Sequence, residues 1–405
     1  MVSADLLPDV DDTWTLERPR VAGAGRLDRT APGQVARLTD LALLGLAHGF
    51  DPPTGSFAQT IRGVAGGAGV GAVAQGASDR YTAMAALGLS RVSTATQRAV
   101  LAGVTAEDVV LRTIDRAVVS DDPGAVALSA WAAVEVAGAT PTRLLDRLRR
   151  ILADGRPLPT VDAAWLLTAA VGAAELTGGA AGADLVESAA ALLRRHQGPG
   201  GTYPHVLPPA TQSRWRAHVG SFADQVYPLQ ALARAARLTG DAWMLDHANR
   251  TAAAICTVQG PAGQWWWHYD SRDGSVVERY PVYSVHQHAM APMVLFDLWE
   301  AGGDDRRPEI VAGLGWLDSH PEVVEELVAE RHGLVWRKVG RREPRKAARA
   351  VGAATTAVLP GRSVPGIDRV LPPVVVDHEC RPYELGWLLY AWLAPTSDRK
   401  EKSDA

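Results

Sequence analysis

Chemically active and aromatic side chains are most concentrated in one stretch of the chain, residues 264–288. Three consecutive tryptophans are followed there by histidines, acids, an arginine and tyrosines, namely Trp265, Trp266, Trp267, His268, Tyr269, Asp270, Glu278, Arg279, Tyr280, Tyr283, His286 and His288. Aromatic faces can cover the apolar faces of a sugar ring, and carboxylates and imidazoles can transfer protons. We therefore predict catalytic roles for His268, Asp270, Glu278 and His286 and substrate contacts for the rest of this group. The alternative is that the tryptophans only anchor a loop over helix ends.

A metal ion could in principle use the two histidines that flank Gln287, where a helix is expected to begin. Residues two apart on a helix point about 200° from each other, so both could bind one ion only in an extended segment. A single histidine acting as a base is the better interpretation. We expect no metal site and no cofactor, although a divalent metal stays open as a weaker alternative.

A second candidate group lies between Asp377 and Glu384. It contains an acid, a histidine, an arginine and an aromatic ring directly before an apolar helix, with His378, Glu379, Arg381 and Tyr383 as the predicted site residues. Pro382 suits the first turn of that helix, so simple helix capping is the alternative for the acids. In the sharpest hypothesis His286 or His378 moves a proton, and Glu278 or Asp270 is the opposing acid. Arg279 or Arg381 then holds an anionic group.

Further candidates lie in three other segments. Arg62 precedes a glycine-rich loop and could meet an anionic group, whereas Arg80 is interpreted as a helix-end charge. Glycines between 63 and 76 do not form a phosphate-binding loop, because the Gly-Lys-Ser/Thr element is missing. His205 and Tyr227 are weaker candidates on a loop that could share the rim with the tryptophan-rich one.

The chain begins with an acidic motif, Pro8-Asp9-Val10-Asp11-Asp12-Thr13. It resembles the Asp-x-Asp-Asp-Thr signature of class II terpenoid cyclases, in which the middle aspartate protonates an alkene or epoxide. That resemblance implies Asp11 as an alternative catalytic acid. The other interpretation is a solvated acidic tail.

Composition excludes several protein classes. The 405 residues are 47% hydrophobic and carry a formal net charge of -4, so no overall basic field favours nucleic acid. Two cysteines suit a reducing compartment, and neither a secretory leader nor a membrane span is expected. We therefore expect a cytoplasmic protein whose partner is a small molecule or oligosaccharide, with its oligomeric state open.

The spacing of apolar residues predicts an all-α protein. Apolar side chains recur every three or four residues, and this pattern predicts about a dozen helices, near 35–48, 80–91, 105–119, 123–137, 141–153, 160–177, 182–196, 219–239, 241–258, 284–301, 307–319 and 382–393. Several end at a glycine, and apolar helices alternate with more polar ones. This repeat favours an (α/α)6-type toroid of helical hairpins with long rim loops, although an open solenoid would also bury the apolar helices.

We expect one toroid domain over residues 34–394, with a poorly ordered segment at 1–33 and a tail at 395–405. Four long irregular segments interrupt the helices, at 49–79, 197–217, 260–283 and 331–380. Loops of this length are typically functional or disordered.

Several segments carry a resemblance to known toroid families. QGPGGTY (197–203) and QGPAGQW (259–265) are similar to the Gln-Trp repeats of squalene-cyclase-type toroids. The stretch 227–241 looks like an inner helix of the N-acylglucosamine 2-epimerase type, and Glu278-Arg279-Tyr280-Pro281 resembles part of the glucuronyl C5-epimerase toroid. These resemblances imply an enzyme acting on a sugar or uronic acid by acid–base proton transfer, as an epimerase, isomerase or glycan-processing enzyme. A terpenoid-cyclase-like or prenyl-binding toroid is the first alternative, and a non-catalytic helical-repeat binding protein is the second.

Overall fold

The computed structural model describes residues 13–66, 69–343 and 346–393. Helices of these residues, in chain order, are α1 (Thr13–Leu16), α2 (Pro19–Gly25), α3 (Ala31–Gly49), α4 (Asp79–Leu89), α5 (Thr94–Val100), α6 (Ala106–Val118), α7 (Pro123–Glu135), α8 (Thr142–Ala153), α9 (Thr160–Thr177), α10 (Ala183–His196), α11 (Phe222–Thr239), α12 (Ala242–Thr257), α13 (Ala291–Glu300), α14 (Arg307–Ser319), α15 (Ala347–Val358), α16 (Ile367–Val370) and α17 (Pro382–Trp392). A π-helical turn, His286–Met290, runs directly into α13.

Short strands fill the segments between the helices. They are β1 (Phe50–Asp51), β2 (Ser56–Phe57), β3 (Thr60–Gly66), β4 (Gly69–Gln75), β5 (Leu158–Pro159), β6 (Val206–Leu207), β7 (Val219–Ser221), β8 (His268–Asp270), β9 (Val276–Glu278), β10 (Val282–Tyr283), β11 (Val328–Ala329), β12 (Leu334–Val335), β13 (Lys338–Gly340), β14 (Val375–Asp377) and β15 (Glu379–Cys380). Three antiparallel three-stranded sheets result, ordered β15-β3-β4, β7-β8-β9 and β10-β13-β14.

Six helices form a closed inner ring. Helices α4, α7, α9, α11, α13 and α17 are apolar on nearly every side, and each packs against the next, with α17 packing against α4. Small residues allow the close approach at that last contact, since a Cβ atom on Gly88 would lie 2.1 Å from the carbonyl oxygen of Gly386. The predicted toroid is therefore confirmed, and the open solenoid is excluded.

Amphipathic helices back this ring on its outer side. Helices α3, α6, α8, α10, α12 and α14 each pack against an inner helix and turn their charged residues outward. Helix α8 is typical, because it buries Leu144, Leu145 and Leu148 while its arginines stay on the other face. One buried stripe is what a helix with a single covered side requires.

The two Gln-Gly segments form the same clamp. Gln197 Nε2 donates to the carbonyl of Gly201 (3.2 Å) and to that of His247 in the next outer helix (2.8 Å). Gln259 Nε2 repeats this with the carbonyls of Gly263 and Glu309, both at 3.0 Å. Each glutamine therefore ties the end of one outer helix to the following hairpin, which explains why the motif recurs.

All of the predicted helices are present, and the predicted helix ends at Gly138, Gly178, Gly240 and Gly302 have positive φ angles. Helices α1, α2, α5, α15 and α16 were not expected from the periodicity. Part of the predicted N-terminal segment packs against the toroid, because Val21 and Ala24 of α2 are buried in the core. The domain division itself stays a prediction. Among the described residues no helix combines the length and the apolar character that crossing a membrane requires.

Candidate active site

The inner helices begin around one cavity of about 230 Å³. Side chains from their first turns and from the rim loops line it: Arg80, Tyr81, Met84, Val161, Trp165, Ala223, Tyr227, Trp267, Tyr283, His286, Met290, Arg337 and Tyr383. Helix N-termini carry partial positive charge, so a ring of them favours an anion. Lining arginines add to this preference.

A second cavity, of about 420 Å³, lies at the opposite ends of the inner helices. Its arginines already have acidic partners. Arg20 contacts Asp297 at 2.6 Å, and Arg91 contacts Glu135 at 2.9 Å, with Arg234 on the same glutamate. Because these charges neutralise one another and the inner helices present their C-termini here, this end does not favour an anion, and the first cavity is the better candidate site for an acidic ligand.

Arg80 lines the first cavity and binds two carboxylates that lie outside the cavity lining. Its Nε lies 2.7 Å from Asp122 Oδ2 and its Nη1 lies 2.9 Å from Asp162 Oδ1. Burial raises the pKa of Asp162 to about 6, against the opposing charge of Arg80. Burial also opposes ionisation of Asp122, but the Arg80 guanidinium outweighs it and holds the pKa of that carboxyl below its usual range. Two acids with pKa values moved apart are a common acid–base arrangement.

Aromatic rings form the walls of the cavity. The rings of Tyr81 and Tyr383 are 4.7 Å apart, those of Trp165 and Tyr227 are 5.0 Å apart, and Trp267 lies 5.3 Å from Tyr283. Such walls can cover the apolar faces of a sugar ring, while the polar groups at the mouth set its orientation.

Two further arginines lie beside these rings. Arg337 donates from Nε to Glu384 Oε1 at 3.0 Å and stacks 4.9 Å above Tyr283. Burial raises the pKa of Glu384, while the charge of Arg337 opposes that rise. Arg381 Nη1 donates to the hydroxyl of Tyr81 at 2.6 Å, so this predicted anion-binding residue lies next to the cavity.

His286 faces the cavity from the π-helical turn. Its ring packs 4.3 Å from Phe222 and 5.1 Å from Tyr283, and its Nδ1 has no hydrogen-bond partner among the described residues. Burial holds the pKa of His286 well below its usual value, so the ring is neutral at neutral pH. A neutral imidazole in the lining of a cavity can accept a proton.

His268 and Glu278 lie directly behind Trp267. The His268 ring stacks on the indole at 4.2 Å, and its Nδ1 is 3.3 Å from Glu278 Oε2. Burial lowers the pKa of His268 and raises the pKa of Glu278 to about 7, although the positive charge of Arg349 works against the latter. Glu278 therefore gains or loses its proton near neutral pH, while His268 stays neutral.

Several predicted site residues lie elsewhere. Asp270 is fully buried and bound by Arg272 at 2.7 and 3.0 Å, which leaves no oxygen facing the cavity. Residues Trp265, Tyr269 and His288 are part of the packed core. Burial lowers the pKa of His288 to about 3, as expected for an imidazole surrounded by apolar groups.

Another set of predicted residues borders a separate outer cleft of about 480 Å³, where Arg279 stacks 5.7 Å from Trp266 and Tyr280 lies under Arg341. On the rim, His378 pairs with Glu325, and Arg62 pairs with Glu379 across the β3–β15 contact. None of these residues lines the first cavity. Asp11 lies outside the described residues.

Arg80, Asp122 and Asp162 are the site residues that the sequence did not reveal. Each stands at the start of an inner helix, where an acid is ordinarily explained by capping. Asp122 does cap α7 by accepting from the Gly124 amide at 3.0 Å. The sequence does contain one sign of this site: acids recur at the beginnings of successive inner helices. A closed ring brings those beginnings together.

His205 is a further titratable group at this rim. Its Nδ1 lies 2.9 Å from Asp224 Oδ2, and a hydrogen bond from the Thr160 amide to the His205 carbonyl, at 3.0 Å, holds it beside α9. The Asp224 carboxylate raises the pKa of His205. No group of three or more histidines, cysteines and acids suited to a metal ion occurs within the described parts of the chain.

Comparison with known proteins supports the architecture. No protein-family model matches the chain, and no curated protein matches it in sequence. Among solved structures, an unsaturated glucuronyl hydrolase specific for heparin superimposes with a TM-score of 0.57 at 14% identity, covering 91% of this chain and 98% of that one. The unsaturated glucuronyl hydrolase of Bacillus sp. GL1 gives a TM-score of 0.55 at 15% identity, over 89% and 96% of the two chains.

A possible member of the GH105 family from Salmonella enterica gives a TM-score of 0.53 at 9% identity, covering 89% of this chain and 92% of that one. At such low identity these matches establish the toroid fold alone. The predicted resemblance to carbohydrate enzymes of the α/α-toroid type is confirmed at the level of fold.

Proposed function

We propose that the chain is a glycan-processing enzyme that acts on a terminal uronic acid residue of an oligosaccharide by acid–base proton transfer. The supporting observation is the first cavity, which is lined by helix N-termini, arginines and aromatic rings, together with the two carboxylates of shifted pKa that Arg80 holds beside it. Its fold is similar to that of two proteins described as unsaturated glucuronyl hydrolases, which favours hydrolysis over isomerisation.

Substrate size and charge follow from the cavity. A volume of about 230 Å³ is below the range of drug-sized pockets and suits one sugar ring with the rest of the chain outside. The aromatic walls accept the apolar faces of that ring. A carboxylate on that ring suits the helix N-termini around the cavity, and charge-assisted hydrogen bonds to guanidinium groups are among the stronger polar contacts.

Proton transfer is assigned to His286, which lines the cavity, and to Asp162, which Arg80 holds beside it. Asp162, with a pKa of about 6, keeps a protonated fraction near neutral pH and is the candidate general acid. His286 is neutral and is the candidate proton acceptor. Glu278, behind Trp267, stays a second candidate acid from the original hypothesis.

The terpenoid alternative is less well supported. A terpenoid cyclase requires a dry, aromatic cavity, whereas Arg80 and Arg337 line this one. A non-catalytic binding protein has no need for acids held near neutral pKa. A cytoplasmic location stays a prediction.

The test is an activity assay with purified protein and a panel of oligosaccharides that end in a uronic acid, each paired with its carboxyl-reduced counterpart. We expect release of the terminal residue from an acidic member, followed by mass spectrometry. Asp162→Asn and His286→Ala should each lower the rate by about a hundredfold or more. Asp184→Asn, an exposed acid on outer helix α10, is the matched control. No product from any acidic substrate, or full activity in both variants, would refute the proposal.

A further inference from the structure

Helix α15 lies outside the main hydrophobic core, against the β7–β8–β9 sheet. Its apolar contact is small and consists of Ala353 packed against Val219 and Val277. A hydrogen bond of 2.8 Å between His218 Nε2 and Thr356 Oγ1 adds to this contact, as does Arg272, which donates to the Thr356 carbonyl at 2.6 Å. The helix is therefore a lightly attached cover next to the site.

One long side chain of this helix reaches inward. The Arg349 guanidinium lies 3.7 Å from the centre of the Trp267 ring, and its Nε lies 3.6 Å from Glu278 Oε2. That distance is too long for a hydrogen bond. Arg349 is nonetheless only 16% exposed, and it makes no hydrogen bond with any described residue. Its donors are thus held beside the cavity wall, with the Glu278 carboxyl at 3.6 Å as their acidic partner.

The other arginines near the cavity differ in this respect. Arg80 is bound by two aspartates, Arg337 by Glu384, and Arg381 by the hydroxyl of Tyr81. Their donors are at least partly used within the protein. Arg349 combines burial with unused donors, which is the property that a ligand-binding guanidinium needs.

Arg216 carries a second positive charge beside the same sheet. It closes the turn that leads into β7, and the β7 residue Ser221 pairs with His268. The Arg216 side chain forms no hydrogen bond with any residue that the structure describes. Its charge adds to the fall in the pKa of His268, which burial mainly causes, and opposes the rise in the pKa of Glu278.

Glu278, the acidic partner of Arg349, is itself only partly hydrogen-bonded. Glu278 is the carboxyl closest to Arg349, its Oε1 is buried, and no described residue donates to it. With a pKa of about 7, Glu278 is neutral about half of the time at neutral pH. Arg349 and Glu278 therefore leave part of each other's hydrogen-bonding capacity unused.

We propose that Arg349, assisted by Arg216, binds the carboxylate of the acidic sugar and sets the preference for acidic over neutral substrates. The inference rests on the proposed function and names the specificity residues of that same site. A carboxylate accepts two parallel hydrogen bonds from one guanidinium, and this geometry rejects a neutral hydroxymethyl group.

The test measures binding by calorimetry with two probes, a glucuronyl disaccharide and its carboxyl-reduced glucosyl counterpart. Arg349→Gln should weaken binding of the acidic probe by at least about tenfold and leave the neutral probe unchanged. Arg349→Lys should recover part of the loss, because it restores the charge but not the planar fork. Arg369→Gln, an exposed arginine of the same cover segment, is the control and should bind both probes as the wild type does.

Arg216 lies on a different segment from Arg349, and Arg216→Gln should weaken binding of the acidic probe by a smaller factor. This second variant keeps the test informative if Arg349 variants fold poorly. Melting temperatures of all variants are measured first. If Arg349→Gln and Arg216→Gln both keep the preference of the wild type for the acidic probe, the inference is wrong. If the wild type binds both probes equally, the inference fails and the proposed function stands. If it binds neither probe, both fail.

Discussion

Replacing Glu278 by glutamine should change the pH dependence of folding. The residue is 7% exposed, and burial raises its pKa to about 7 from the usual 4.5. A folded state that holds this proton more tightly than the unfolded chain is stabilised fully below about pH 4.5, and that contribution is lost as pH rises through about 7. A difference of about 2.5 in pKa corresponds to about 3 kcal/mol.

Glutamine cannot ionise and has nearly the same shape as glutamate, so Glu278→Gln should not lose stability as the pH rises through about 7. Relative to the wild type, its free energy of unfolding should improve by about 3 kcal/mol between about pH 4.5 and 8.5. Urea denaturation of both proteins across that range measures the difference. Glu187→Gln, an exposed glutamate on α10, controls for the charge change. Parallel curves for Glu278→Gln and the wild type would show that Glu278 ionises normally in the fold.

Two further predictions concern the frame of the ring. Gly88→Ala should destabilise the protein by about 3 kcal/mol or more, because the added Cβ would lie 2.1 Å from the Gly386 carbonyl oxygen. Gly315 in α14 is the control: a Cβ there would meet nothing within 4 Å, so Gly315→Ala should be neutral or stabilising in the same thermal melts. Glu135→Gln should cost about 3–5 kcal/mol at neutral pH, because Arg91 and Arg234 would keep buried charges without their shared partner; an unchanged urea midpoint would contradict this.

The fold was predictable because the inner helices leave a strong signal. A helix such as α9, which is buried along almost its whole length, has an apolar sequence on every side and ends at Gly178 with a φ of 60°. Only a structure that covers such helices on all sides can hold several of them. Ring closure needed one further fact, the glycine contact between α4 and α17, which no periodicity reveals.

The site was only partly predictable. The cavity is lined by four of the predicted residues, Trp267, Tyr283, His286 and Tyr383. In contrast, Trp265 lies in the core and Trp266 lines the outer cleft. Consecutive side chains of an irregular segment point in different directions, and strands of two or three residues are too short to show an alternating pattern.

Arg80 and its two aspartates were missed for a different reason. Asp122 and Asp162 are separated by 40 positions along the chain, and each has a sufficient local explanation as a helix-start acid. Their shared contact with Arg80 exists only because the ring places three helix beginnings side by side. Arg349 was likewise missed, because it lies in a stretch rich in arginine and lysine that begins at Arg337, and such a charge run typically belongs to a solvated loop.

The most direct test of the account is turnover of a disaccharide that ends in a uronic acid, measured beside its carboxyl-reduced counterpart with the wild type and Asp162→Asn. The account predicts that the wild type releases the acidic terminal residue, leaves the neutral counterpart intact, and loses about a hundredfold or more of its rate in the variant. Equal rates on both substrates, or an Asp162→Asn protein as fast as the wild type, would contradict it.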